Sequence, residues 1–72
     1  MNSDHLEAYG KAIKQLRQFR QMSQTQLAEE AQLRVATISD IEAGKANFEI
    51  NTLVRIATAL NCYLDISFTP VK

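Results

Sequence analysis

The sequence predicts an all-α bundle of four to five short helices, ended by one C-terminal β-strand that pairs across a homodimer. Three observations point there. Apolar residues recur at helical spacing in successive segments, two of those segments meet in a tight turn bounded by cap and stop residues, and the apolar period switches to alternation near the C-terminus.

Leu6, Tyr9, Ile13 and Leu16 follow the helical period with Lys and Gln between them, so an amphipathic first helix runs from about Asp4 to Gln21. Gly10 weakens it locally, by roughly 1 kcal/mol against alanine. Ser23 followed three residues later by Gln26 is a capping-box pattern that starts a second helix at Gln24 and buries Leu27, Ala28 and Ala31. Gln32, Leu33 and Arg34 then link to a third helix from about Val35 to Ala43. Ile38 and Ile41 turn inward there, and Gly44 supplies the stop. After the loop Lys45 to Glu49, the residues Ile50, Leu53, Val54, Ile56, Ala57 and Leu60 give a fourth helix with a wide apolar face. Glu49 and Asn51 are both suited to its N-terminal cap.

From Tyr63 to Phe68 the period becomes two. Leu64, Ile66 and Phe68 alternate with Tyr63, Asp65 and Ser67, a strand with one buried face ended by Pro70. A lone strand in a helical chain exposes unpaired N–H and C=O groups. Antiparallel pairing with the same strand of a second copy satisfies them across a twofold axis; a frayed tail or a strand lying on the helices are the alternatives. The chain thus divides into a helical domain, 1–61, and a dimerisation strand and tail, 62–72.

With 72 residues the chain makes one domain, and a domain this small buries only about 60% of its unfolded surface, so a partner subunit adds needed stability. Its 46% apolar and 22% charged residues suit a globular fold. No apolar run approaches the roughly 20 residues that span a bilayer, and Met-Asn-Ser-Asp-His does not open a secretory signal, so a cytoplasmic location and no membrane partner are expected. Cys62 and His5, each alone of its kind, cannot build an internal disulfide, a zinc site or a nucleophile–base pair. Neither an enzyme nor a cofactor or metal site is expected, and Cys62 reads as a small packing residue.

The formal net charge is zero, which limits non-specific affinity for nucleic acid. Its distribution is uneven. Lys11, Lys14, Arg17 and Arg20 form an acid-free run, while Glu29, Glu30, Asp40, Glu42 and Glu49 occupy the middle of the chain. Lys11 and Lys14 read as a solvated helix face, and Lys14, Gln18 and Arg55, exposed on the first and fourth helices, read as solvated positions with a partner surface as the alternative.

Two short helices joined by a tight turn form a helix-turn-helix, which sets the start of its second helix in the DNA major groove and lays the first across the backbone. Base-reading candidates are Arg34, Val35, Ala36, Ser39 and Asp40. Arg34 can donate two bonds to guanine O6 and N7, Val35 and Ala36 can meet a thymine methyl, Ser39 can donate or accept, and Asp40 can accept from cytosine N4. Phosphate candidates are Ser23 and Gln24 at a helix start whose N–H groups favour an anion, with Thr37, Lys45 and Asn47.

The segments Gln24-Thr-Gln-Leu-Ala-Glu, Ala36-Thr-Ile-Ser-Asp-Ile-Glu-Ala-Gly-Lys45 and Thr52-Leu-Val-Arg-Ile-Ala-Thr-Ala-Leu60 resemble the XRE family of Cro and lambda-repressor type regulators. The resemblance runs from about Ile13 to Asn61 and implies a lambda-repressor-like helix-turn-helix bundle that binds double-stranded DNA as a dimer, at an inverted-repeat operator. It also implies a buried structural ion pair between Arg17 and Glu42. Two positions depart from the family pattern: Gln32 stands where the turn usually holds glycine, and Arg34 where the recognition helix usually has a Ser or Thr cap.

With Arg34-Val-Ala-Thr-Ile-Ser39 followed by the alternating strand, the chain is similar to HipB-type antitoxins of toxin–antitoxin modules. That likeness implies repression of its own operon and neutralisation of a HipA-like kinase toxin. The residues themselves leave open a stand-alone XRE-type or phage-type regulator, and a protein-binding module without DNA affinity.

Overall fold

The computed structural model describes residues 3–65, 70 and 71. Four helices occupy them: α1 Ser3–Phe19, α2 Gln24–Ala31, α3 Val35–Glu42 and α4 Ile50–Ala59. α2 packs on α3 and α4, and α1 packs on α3. The core is small and aliphatic, with Ile13 from α1, Leu27, Ala28 and Ala31 from α2, Ile38 and Ile41 from α3, and Leu53, Ile56 and Leu60 from the α4 region. Met22, Leu33, Ala46 and Phe48 close its edges from the connecting segments.

All four helices end in the same turn. After α1, the Met22 N–H returns to the Arg17 carbonyl at 3.1 Å and the Gln21 N–H to that of Gln18 at 2.9 Å. The corresponding pairs are Leu33 to Ala28 and Gln32 to Glu29 after α2, Lys45 to Asp40 and Gly44 to Ile41 after α3, and Cys62 to Ala57 and Asn61 to Thr58 after α4. These are Schellman closures, which satisfy end carbonyls by placing one residue in the left-handed region. That residue has φ 57° at Gln21, 59° at Gln32, 74° at Gly44 and 57° at Asn61. The closure at Gln21 explains why α1 stops at Phe19, short of the expected Gln21. α4 begins at Ile50 with Glu49 as N-cap, whose side chain makes no capping bond.

Gly10 has a tertiary reason to be glycine. A Cβ there would meet the backbone carbonyl oxygens of Ile41 and Glu42, so its absence lets α1 cross the end of α3 at close range. Ile13 is buried, whereas Tyr9 and Leu16 remain 42% and 38% exposed along a groove of about 350 Å³ that α4 and the segment after it also line, through Leu53, Ala57 and Leu64. Tyr9 also meets the Phe48 ring edge-on, with centroids 6.3 Å apart.

The expected strand Tyr63–Phe68 falls partly outside the described residues. Tyr63, Leu64 and Asp65 belong to no regular element, and Ile66, Ser67 and Phe68 lie outside the described part. The described architecture is therefore all-helical. No described helix is long and apolar enough to cross a membrane, and no group of metal-ligating side chains gathers among the described residues.

Candidate nucleic-acid interface

The unit that matters starts at Ser23. Its hydroxyl oxygen accepts from the Gln26 N–H at 3.0 Å, and its own N–H donates to the Gln26 side-chain oxygen at 2.8 Å. This reciprocal cap starts α2 sharply and fixes its direction. Leu27, Ala28 and Ala31 on one side, and Ile38 and Ile41 on the other, are buried together, so the apolar contact sets the angle between α2 and α3.

That burial rolls the opposite face of α3 outward. Arg34, Val35, Ala36, Ser39 and Asp40 are all exposed; at about 100° per residue Val35, Ala36, Ser39 and Asp40 form one continuous face opposite Ile38 and Ile41, and Arg34 precedes it at the helix start. Arg34 is the N-cap of α3, in extended conformation and with no side-chain cap bond, which leaves the helix start without the usual hydroxyl or carboxylate cap. Lys45 and Asn47 are exposed in the loop that follows α3. Thr37 is half-buried between the exposed and the inward faces.

Arg17 and Glu42 meet behind this face. Arg17 Nε donates to Glu42 Oε2 at 2.7 Å and Nη2 to Oε1 at 3.1 Å, while Nη1 donates to the Met22 carbonyl at 2.8 Å. The two side chains are only 11% and 3% exposed. Gln24 adds a bond that sequence reasoning missed: its Nε2 donates to Glu42 Oε1 at 3.1 Å. One carboxylate thus holds α1, α2 and α3 together. One Nε2 hydrogen of Gln24 is committed to Glu42, which leaves the second Nε2 hydrogen and the backbone N–H to offer an anion.

The sequence pattern makes Arg55 a solvated position, and the structure places it otherwise. From α4 it reaches the turn between α2 and α3, where Nε donates to the Ala31 carbonyl at 3.0 Å and Nη2 to the Gln32 carbonyl at 2.6 Å. The only hint in the sequence is indirect, the missing glycine at Gln32.

A capped support helix, a left-handed turn and a second helix with an open polar face define a helix-turn-helix DNA-binding unit. The chain belongs to the helix-turn-helix family (HTH_3), whose model matches residues 13–66; it is a DNA-binding transcriptional regulator of the XRE type rather than an enzyme. Among solved structures it is similar to the restriction-modification controller protein C.AhdI from Aeromonas hydrophila, with 27% identity and a TM-score of 0.82 over 83% of this chain and 91% of that one. No curated protein matches the chain.

Proposed function

We propose that this regulator reads an inverted-repeat operator as a homodimer and represses its own promoter, working in the cytoplasm. The observation that carries the reading is the exposed face of α3, where Val35, Ala36, Ser39 and Asp40 lie together with Arg34 exposed at the helix start. The N-terminal end of α3 enters the major groove, with Arg34 bidentate to a guanine, Val35 and Ala36 against a thymine methyl, and Ser39 and Asp40 on the neighbouring base edges. Ser23, the Gln24 backbone N–H, Thr37, Lys45 and Asn47 fix the register on the phosphates. Cofactors have no part in this.

The second copy is supported by the open groove at Tyr9, Leu16, Leu53 and Leu64 and by the alternating apolar pattern of residues 63–68. In this reading residues 1–61 carry the DNA unit and 62–72 the dimer strand. Half-sites then lie one helical turn apart, about 34–36 Å, or a multiple of it.

The likeness to a restriction-modification controller favours a stand-alone regulator. A HipB-type antitoxin with a HipA-like kinase partner is the second reading, supported by Arg34-Val-Ala-Thr-Ile-Ser39 and the C-terminal alternation. A gel shift on the DNA upstream of the coding sequence tests the common core: a retarded band that specific competitor removes is expected, and its absence leaves only a protein-binding module. Copurification of a kinase encoded next to the gene selects the antitoxin reading, and its absence selects the stand-alone regulator.

A further inference from the structure

We infer that Arg55 is a positioning residue for DNA reading: its guanidinium clamps the α2–α3 turn and so sets the pose of α3. The inference rests on α3 being the reading helix, as proposed above.

The turn needs such a clamp. Gln32 sits at φ 59° and ψ 45°, a left-handed conformation in which the Cβ of an L-residue crowds the following carbonyl oxygen and for which glycine is the natural occupant. The carbonyls of Ala31 and Gln32 lie just where α2 ends, and the last carbonyls of a helix have no partner within it. Arg55 answers both with one rigid fork, bonding the Ala31 carbonyl through Nε and the Gln32 carbonyl through Nη2. A positive charge at the C-terminal end of α2 also meets the negative end of its dipole.

The clamp is itself well anchored. Arg55 stands on α4 between Leu53 and Ile56, both buried in the core, and α4 packs on α2. Two residues after the clamped Gln32 carbonyl comes Arg34, the N-cap of α3. Loosening the turn therefore tilts α3 and moves every base-reading residue together, although Arg55 touches none of them in the bonds it makes.

The test uses the full chain and a duplex selected from a randomised library against the wild-type protein. Arg55→Met keeps the stem and removes the fork. It should weaken binding by about tenfold, the loss expected if the reading pose of α3 falls to about a tenth of the free population, at a temperature where circular dichroism shows the same helix content as wild type. The slope of log affinity against log salt should not change, because no phosphate contact is lost. Adding Gln32→Gly should restore most of the affinity, since glycine holds the left-handed turn without the clamp. Unchanged affinity in the folded Arg55→Met protein, a shallower salt slope marking Arg55 as a phosphate ligand, or no rescue by Gln32→Gly overturns the inference.

Hydrogen exchange supplies a readout that needs no DNA. Arg55→Met should speed exchange at the Gln32 and Leu33 amides, which close α2, and leave the amides of α1 unchanged. If the wild-type chain enriches no duplex, DNA reading by α3 fails while the exchange result still judges the clamp. If exchange at Gln32 and Leu33 is unaltered, the clamp fails whatever the DNA result.

Discussion

Glu42 is the residue on which the packing of three helices converges. Its carboxylate accepts from Arg17 Nε and Nη2 and from Gln24 Nε2, so Arg17→Met removes the charge that balances it and leaves a nearly buried anion with one neutral donor. Breaking such a pair from one side typically costs about 3–5 kcal/mol. In a domain this small each kcal/mol moves the midpoint by roughly 4–8 °C, and calorimetry should find Arg17→Met melting at least about 12 °C below wild type. A midpoint within a few degrees of wild type would mean that the pair is an exposed one in solution. The reading face obeys a different logic, because its residues are exposed and contribute little to the fold. Arg34→Ala should lose about 1–3 kcal/mol of operator binding and relax preference at one base pair of each half-site. Lys45→Ala should weaken all sequences alike and flatten the salt dependence by about one charge. Binding-site selection on the two variants separates these roles, and a base preference altered by Lys45→Ala contradicts the assignment.

At the scale of elements, the helix starts were more legible than the helix ends. The Ser23–Gln26 box reads directly from two residues three apart, and the α3 stop reads from Gly44, because local chemistry decides both. The ends of α1 and α2 use Gln21 and Gln32 in left-handed conformation, where sequence offers no glycine to mark them. The roles of Gly10, Gln24 and Arg55 are hidden from the sequence for a related reason. Each owes its role to a segment distant in sequence: Gly10 to the end of α3, Gln24 to Glu42, and Arg55 to the α2–α3 turn. No local pattern encodes a tertiary approach. The closures also make a prediction. Gln21 stands at φ 57° and is exposed, so Gln21→Gly relieves left-handed strain of roughly 1 kcal/mol, part of which glycine's extra freedom in the unfolded chain offsets. Urea denaturation should show a midpoint equal to or above that of wild type with an unchanged slope. A clear loss of stability would place the end of α1 in another conformation.

The chain carries a formal charge of zero and, among the described residues, an apolar-lined groove along α1 and α4, and the two facts point the same way. A neutral subunit contributes few phosphate contacts, so tight operator binding has to come from two reading units joined rather than from one attracted strongly. The groove and the alternating residues 63–68 are what the chain offers for joining them. Ile66, on the apolar register of that alternation with Leu64 and Phe68, is the position to charge. Ile66→Asp places a carboxylate in the apolar face of the proposed ribbon, where burying it unpaired is prohibitive, and sedimentation equilibrium should show a monomer. Leu16→Asp probes the groove independently of the ribbon. Leu16 lines the groove at 38% exposure, outside the buried core, so the variant should keep its helix content by circular dichroism while losing its partner. Both monomers should keep wild-type helix content and bind a single half-site weakly. A dimer that survives Ile66→Asp removes the ribbon, and one that survives Leu16→Asp as well removes this face of the molecule as the interface.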